Sequence, residues 1–388
     1  MYHNLFETVK IQKQSANHFV AQAMEGNDSE AGGSPSERTI NRYRELARGH
    51  WGVAVVEAVS ITERSLARVN GLILNEKNLD PFKRLVEAFK TENPQGILLF
   101  QLTHSGEQSG SFSDRTTVTP NTEGCRYLSS GELEQVKDGF IKAALLAESA
   151  GADGIDFKMC HGYLGGEILR PRNTRPDKWG GSFENRTRLL REAVTEIKNR
   201  LKRDFILGSR LSLYEGIRGG CGTSGADEIV EDISEMLDVI RMMDALGMDY
   251  VNVSAGIPAL TGAITRPTEP SKYLALHHLR YTRTVKQMLQ QENRRLRVIG
   301  SAYSAHKDKA PQIMAEMIVK GYADFCGFGR QTFADPLTPR KLAAGDMEKI
   351  NWCILCSGCT KLMASQLNDG CVVYNEYYKA VLKQLNNR

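Results

Sequence analysis

The residues best suited to chemistry lie in three short stretches. Lys158-Met159-Cys160-His161-Gly162-Tyr163 brings an ammonium, an imidazole and a phenol into one turn of chain. Two donors of that kind can hold an anionic or carbonyl oxygen while the phenol offers a proton beside it. Gly300-Ser301 and Gly327-Phe328-Gly329-Arg330 combine glycines, which let backbone N–H groups approach an anion, with an arginine that can pair with it. That combination suits a phosphorylated cofactor. Near the C-terminus, Cys353, Cys356, Cys359 and Cys371 follow the spacing C-x2-C-x2-C-x11-C. Such a set can hold a [4Fe-4S] cluster, bind zinc, or remain as free thiols that only pack.

These groups need elements to hold them together. Apolar, β-branched runs at 18–23, 53–58, 97–102, 154–159, 205–211, 250–254, 297–301 and 324–328 predict eight strands, each separated from the next by a segment of helical character. The spacing predicts a helix from Ser129 to Ala150, with Leu133, Val136, Phe140, Ala143, Ala147 and Ala150 on one stripe. Ser34-Pro35-Ser36-Glu37 reads as a capping box opening an earlier one. Alternation of strand and helix implies a parallel sheet, because a parallel return needs a helical crossover. Eight such units close most simply into an α/β fold of the (β/α)8 TIM barrel type. An open doubly wound sheet is the alternative, but no G-x-G-x-x-G follows the first strand, which runs into Met24-Glu25-Gly26-Asn27-Asp28.

In a barrel, chemistry belongs at the C-terminal ends of the strands. Gln101, His104, Lys158, His161, Tyr163, Arg210, Ser254, Ser301 and Arg330 all fall at or just past such an end. The two glycine-containing stretches follow strands seven and eight, the usual phosphate position of a barrel. The expected organisation is a barrel over 1–340 and a Cys-rich extension over 341–388 packed on it.

Composition narrows the function classes. With 50 basic and 46 acidic residues the formal charge is only +4, which argues against nucleic acid or a membrane surface as partner. No apolar run is long enough to span a bilayer and the opening MYHNLFETVK lacks a signal-peptide core, so a cytoplasmic location is expected. In that reducing compartment the cysteine cluster reads as a metal site before it reads as disulfides.

The chain resembles the Old Yellow Enzyme family of FMN-dependent barrel oxidoreductases along nearly its whole length. HGYLGGEILRPRNTRPDKWGGSFENRTRLL, residues 161–190, is similar to the family's H-G-Y-L run followed by R-x-D-x-[YW]-G-G-S-x-E-N-R. QLTHSG at 101–106 resembles the third-strand Q-L-x-H-x-G, and GFGRQTFADP at 327–336 the eighth-strand G-x-G-R-x-x-x-A-D-P. The resemblance implies noncovalent FMN, with Ala23, Met24, Ala58 and Gln101 lining the isoalloxazine and Arg210 near N1 and O2. Gly300, Ser301, Gly329 and Arg330 would bind the phosphate. Lys158 and His161 match the substrate-oxygen pair and Tyr163 the proton donor. The chain departs from the common pattern at Lys158, usually His, at Glu107, often Arg, and at Ala23, commonly Pro. A Lys-x-x-His subgroup exists among enzymes acting on steroid-like enones.

The cysteine spacing is close to that of larger relatives carrying a [4Fe-4S] cluster beside FMN, such as trimethylamine dehydrogenase and 2,4-dienoyl-CoA reductase. What the resemblance implies is an ene-reductase. FMN reduced by NAD(P)H passes hydride to the β-carbon of an activated enone or enoate, steroid-like or acyl-CoA, and Tyr163 protonates the α-carbon. Electrons would come from NAD(P)H or from a separate electron-donor protein, and a homo-oligomer is expected. The alternatives are an oxidative amine demethylase, against which the Lys158 cation argues, and a flavin- and cysteine-based redox-responsive binding protein, which need not retain Lys158, His161 and Tyr163 together.

Overall fold

The computed structural model describes residues 2–387. Eight parallel strands, β1 (Phe19–Ala21), β2 (Val53–Ser60), β3 (Ile97–Thr103), β4 (Gly154–Met159), β5 (Ile206–Ser212), β6 (Tyr250–Ser254), β7 (Arg297–Gly300) and β8 (Phe325–Phe328), pair in chain order. β1 pairs with β2 on one side and β8 on the other, which closes the barrel. Each predicted strand is present within a residue or two of its expected bounds. The crossovers carry α1 (Glu37–Arg48), α2 (Leu79–Glu92), α3 (Ser130–Ser149), α4 (Arg188–Arg200), α5 (Ser234–Ala245), α6 (Ala275–Gln291) and α7 (Ala310–Val319), and the short α8 (Arg330–Ala334) follows β8.

Strand side chains divide by the two-residue period. Val53 and Val55 of β2 join Val20, Ile97, Leu99, Ile206, Tyr250, Ile299 and Phe325 in one buried cluster inside the barrel. Ala54 and Val56 belong instead to the larger cluster under the helices. Gly208 makes room for the Tyr250 ring, which a Cβ there would meet at 2.0 Å. The sequence pattern did not reveal the antiparallel hairpin of Val9–Ile11 and Lys13–Ser15. Its Ile11 packs with the inner cluster and plugs the end of the barrel opposite the strand C-termini.

The α3 stripe is buried as expected, and Phe140 stacks on Phe157 of β4 at 4.0 Å between centroids. Ser129 and Glu132 cap that helix reciprocally. The expected cap of α1 moves by two residues. Ser36, not Ser34, accepts from the N–H of Thr39 at 3.1 Å, while the Ser34 hydroxyl turns to Asn78 at 2.6 Å. Among the described residues no helix is long and apolar enough to cross a membrane.

The seam between β1, β2 and β8 is held by Trp51, which is fully buried. Its ring meets Phe19 edge-on at 6.3 Å and Phe328 at 5.8 Å, and Nε1 donates to the Pro336 carbonyl at 2.7 Å. Trp51→Ala is therefore expected to lose about 3–5 kcal/mol of stability, from lost transfer energy and the cavity left behind. Denaturant unfolding checks this, and a loss below about 1 kcal/mol would show that the seam does not depend on the indole.

Candidate active site

The C-terminal strand ends open into a cavity of about 660 Å³. Among the expected residues, Ala23, Met24, Gln101, Lys158, His161, Tyr163, Arg210, Ser301, Gly329 and Arg330 line it. Ala58 lies apart, in a small recess behind Glu25 and Tyr163. Gly300 faces away, where a Cβ would meet Thr282 at 3.0 Å and the Tyr303 hydroxyl at 3.2 Å. Ala302, Ser304 and Ala305 wall that end of the cavity instead.

Lys158 and Tyr163 converge on one carboxylate that sequence reasoning did not single out. Tyr163 OH donates to Glu25 Oε1 at 2.7 Å, and Lys158 Nζ stands 3.6 Å from the same oxygen. The ammonium also lies 3.3 Å above the centre of the Tyr163 ring. Arg68 Nε donates to Glu25 Oε2 at 2.8 Å. Burial works to raise the Glu25 carboxyl, but Arg68, Lys158 and the Tyr163 hydroxyl outweigh it and hold it at about 2. Burial pushes the Lys158 ammonium below the usual lysine range, with Glu25 opposing. Burial, reinforced by Glu25, raises Tyr163 well above an ordinary phenol.

His161 lines the same cavity with other partners. Its Nε2 lies 2.8 Å from Ser254 Oγ, which also accepts from Arg210 Nη2 at 3.3 Å. Its backbone sits in the left-handed region at φ 61, anchored by its N–H to Ser212 Oγ at 3.1 Å. Burial, with Arg210 and Lys158 adding to it, drives the imidazole well below its usual value, so the ring is neutral.

Beneath the cavity, Asp156 accepts from Gln101 Nε2 at 2.9 Å and from Tyr250 OH at 2.8 Å, which fixes the Gln101 amide. Arg210 Nε and Arg330 Nη1 are buried donors without a protein partner, although the other ends of both guanidiniums are tied to Ser254 and the Pro267 carbonyl. The Ser301 hydroxyl turns inward to the Val253 carbonyl at 2.5 Å and to His278. At Gly329 a side chain would press on Met24 Sδ at 3.0 Å.

Residues 161–190 mostly brace the site. Asn173 bonds the carbonyls of Ile168 and Trp179, and Arg186 forks onto Glu235. Arg170 is fully buried between Glu215, at 2.7 Å, and Glu107, at 2.8 Å. Glu107 also pairs with Arg172 at 3.1 Å, which accounts for an acid at a position where arginine is common.

The C-terminal segment lies over the rim. Asp369 N–H donates to the Gly26 carbonyl at 2.7 Å, Asn368 Nδ2 to the Asn27 carbonyl at 2.6 Å, and Gln366 Oε1 accepts from Val69 N–H at 3.0 Å. Cys359 and Met363, on α9 (Gly358–Ala364), thereby reach the cavity wall, where Arg266 Nη1 lies 3.5 Å from Met363 Sδ. Left-handed backbone at Leu355 and Ser357, φ 61 and 60, coils the segment between Cys353 and Cys359. Burial raises the Cys353 and Cys371 thiols and lifts Cys359 to about 12; neighbouring cysteines add to the rise at Cys353. Among the described residues no three His, Cys, Asp or Glu side chains close round a common point that could hold a metal ion.

The functional residues missed from sequence are Glu25, Arg68 and Arg266. Glu25 follows Met24 just past β1, a position that could have flagged it. The two arginines sit in long loops after β2 and β6, where no spacing rule applies.

A sequence profile for the NADH:flavin oxidoreductase / NADH oxidase family matches residues 4–348. An NADH oxidase of Thermoanaerobacter brockii is 29% identical over 88% of this chain and 51% of its own length. A cinnamate reductase of Clostridium sporogenes is 26% identical over 96% of this chain and 57% of its own. The chain thus spans about half the length of these curated relatives. Among solved structures, a 2-naphthoyl-CoA reductase in complex with 2-naphthoyl-CoA superposes with a TM-score of 0.81 at 22% identity, over 98% of this chain and 58% of that one.

The Glu25 environment makes stability depend on pH in a defined window. A carboxyl held at about 2 against an ordinary 4.5 contributes roughly 3 kcal/mol, fully present above about pH 4.5 and lost as pH falls toward 2. Glu25→Gln is expected to be less stable than the parent at neutral pH, with the gap closing by about that amount on acidification. Parallel denaturant titrations at stepped pH check this. A constant gap would mean that the carboxyl is not depressed.

Proposed function

Because the chain belongs to the NADH:flavin oxidoreductase / NADH oxidase family, we propose that it is an FMN-dependent reductase of an activated carbon–carbon double bond, using NAD(P)H. The observation that carries the reading is the meeting of Lys158 and Tyr163 in one cavity with the cations of Arg68, Arg210 and Arg266. Such a wall favours an anionic or strongly polarised oxygen on the substrate. The likeness to a cinnamate reductase supports an enoate or enone within that class.

The residues present fit FMN. Arg330 and Arg210 line the cavity and each keeps a buried donor without a protein partner, one guanidinium suited to a phosphate and the other to the electron-rich pyrimidine edge of a reduced flavin. Gln101, fixed by Asp156, supplies an amide to that edge, and Ala23, Met24 and Gly329 line the same cavity with little polar side-chain surface. Bound there, FMN supplies the hydride that it takes from NAD(P)H. The chain's own groups do the rest. Lys158 and neutral His161 hold the substrate's oxygen, and the phenol of Tyr163 protonates the carbon next to the carbonyl.

Cys353, Cys356, Cys359 and Cys371 are read as holders of a [4Fe-4S] cluster on the extension over 341–388. Three thiols in one coiled segment, with Cys371 beyond α9 as the fourth, suit it in kind, and a separate electron-donor protein would then be an alternative source of reductant. An amine substrate fits less well, because a cationic amine would face Lys158, Arg68 and Arg266 with Glu25 as the partner they already share.

Two measurements test the reading. Tyr163→Phe is expected to slow reduction of an activated alkene by about two orders of magnitude or more, the scale of general-acid catalysis, while NAD(P)H still reduces the flavin at nearly the parent rate. Equal alkene turnover would remove Tyr163 from the reaction.

Anaerobically prepared protein is expected to release FMN on heating and to carry about four iron atoms per chain. Arg330→Ala should weaken FMN retention, and Cys356→Ser should lose iron while keeping FMN. Recovery of FAD alone would overturn the cofactor. One zinc per chain, or four freely titrating thiols, would overturn the cluster.

A further inference from the structure

Lys158 is almost wholly buried, and a lone ammonium loses its proton readily in such a place. Among the described residues Glu25 is the one carboxylate within 4.0 Å of its Nζ. The same carboxylate accepts the Tyr163 hydroxyl at 2.7 Å and Arg68 Nε at 2.8 Å, so its position is fixed from two sides. We propose that Glu25 is a positioning residue, a built-in counter-ion that keeps the Lys158 ammonium charged and the Tyr163 phenol oriented until the anionic oxygen of the substrate arrives. The proposal rests on the reading of Lys158 as the anchor for that oxygen.

The charges around the pair support it. Facing Lys158 are Glu25 from the loop after β1, Arg68 from the loop after β2, Cys160 and Tyr163 beyond β4, and Arg210 of β5. His161 is close enough to feel the ammonium. Facing Glu25 are Arg68, Lys158, Tyr163, Arg266 of the loop after β6 and, from the C-terminal segment, Asp369. Of the groups around Lys158, the arginines favour loss of its proton and Glu25 is the main one opposing that loss. Removing the Glu25 charge therefore acts in two directions. At low pH it removes a negative group that competes with an incoming anion. At higher pH it lets Lys158 go neutral and the anion site disappears.

The experiment uses the oxidised holoenzyme and benzoate as an unreactive anionic probe. Benzoate affinity is measured by calorimetry from about pH 6 to pH 9 in the parent, Glu25→Gln and Glu25→Asp proteins, and the Lys158 Nζ titration is followed by heteronuclear NMR of lysine-labelled protein. In the parent, affinity is expected to stay flat over the range. In Glu25→Gln, benzoate should bind more tightly at the acid end and then weaken by about tenfold per pH unit once Lys158 titrates, as loss of one cation requires. The NMR midpoint of Lys158 should fall by at least about one pH unit, a tenfold change in its proton affinity. Glu25→Asp retracts the charge by one methylene and should fall between; should Gln at this position prevent folding, Asp alone still has to show the shift.

An unshifted Lys158 midpoint in these variants overturns the proposal, whatever benzoate does. Benzoate binding that is unchanged in Lys158→Met overturns the anchor reading instead, while the NMR midpoint still decides the role of Glu25.

Discussion

Closure of the parallel sheet is the constraint on which the rest of the molecule depends. A parallel strand has a direction, so eight of them in a ring place all eight C-terminal ends on one rim. Gln101 of β3, Lys158 of β4, Arg210 of β5 and the loops after β7 and β8 are far apart in the chain and share a cavity for that reason alone. The ring closes through three residue pairs between β1 and β8 and two between β1 and β2. Trp51 and its aromatic neighbours, together with the hairpin that plugs the opposite end, stiffen this shortest part of the wall.

Within the cavity, charge is arranged asymmetrically. Lys158, Arg68, Arg210 and Arg266 are cations at its wall, and His161 is held neutral by burial, with Arg210, Lys158 and Arg266 adding to it. Glu25 is the ionised carboxylate that several of them share, and burial drives the Asp369 carboxyl nearby well above the ordinary carboxylate range, with Arg266 opposing. Glu107, on the same wall, is paired with Arg170 and Arg172, and the fully buried Glu215 with Arg170, so neither adds an unpaired negative charge. The wall therefore has excess positive charge, suited to an enolate-like oxygen or a reduced flavin.

The barrel was legible in the sequence because its buried parallel strands are mostly apolar and the crossovers between them amphipathic, signals that alternate along the chain. The terminal hairpin was not, because its strands are three residues long and its turn places Gln12 at φ 54 without a glycine or asparagine to announce it. The α1 cap moved from Ser34 to Ser36 because a sequence offers two serines and only packing decides which one faces the helix. For the site, strand-end residues could be read by position. Glu25, Arg68 and Arg266 could not be read by type, since a charged residue in a loop is ordinarily solvated and nothing in a spacing rule brings three loops together. Residues 161–190 look like a functional motif, but beyond His161 and Tyr163 their side chains mainly tie the loop after β4 to its neighbours.

The docking of the C-terminal segment on the loop after β1 joins stretches that are far apart in the chain. His18 Nδ1 meets the Asp324 carbonyl at 2.6 Å across 306 positions of sequence, and Asp369 N–H meets the Gly26 carbonyl at 2.7 Å. Contacts of such range are the slow ones in folding, because the intervening chain must be ordered before they reward it. A chain emerging from its N-terminus can prepare strands and helices in succession, yet the barrel lacks its eighth wall until Phe325–Phe328 has emerged, and the cavity lacks its cover until residues 359–369 follow. A complete cavity for a cofactor therefore needs β8 and the segment around Asp369 in place.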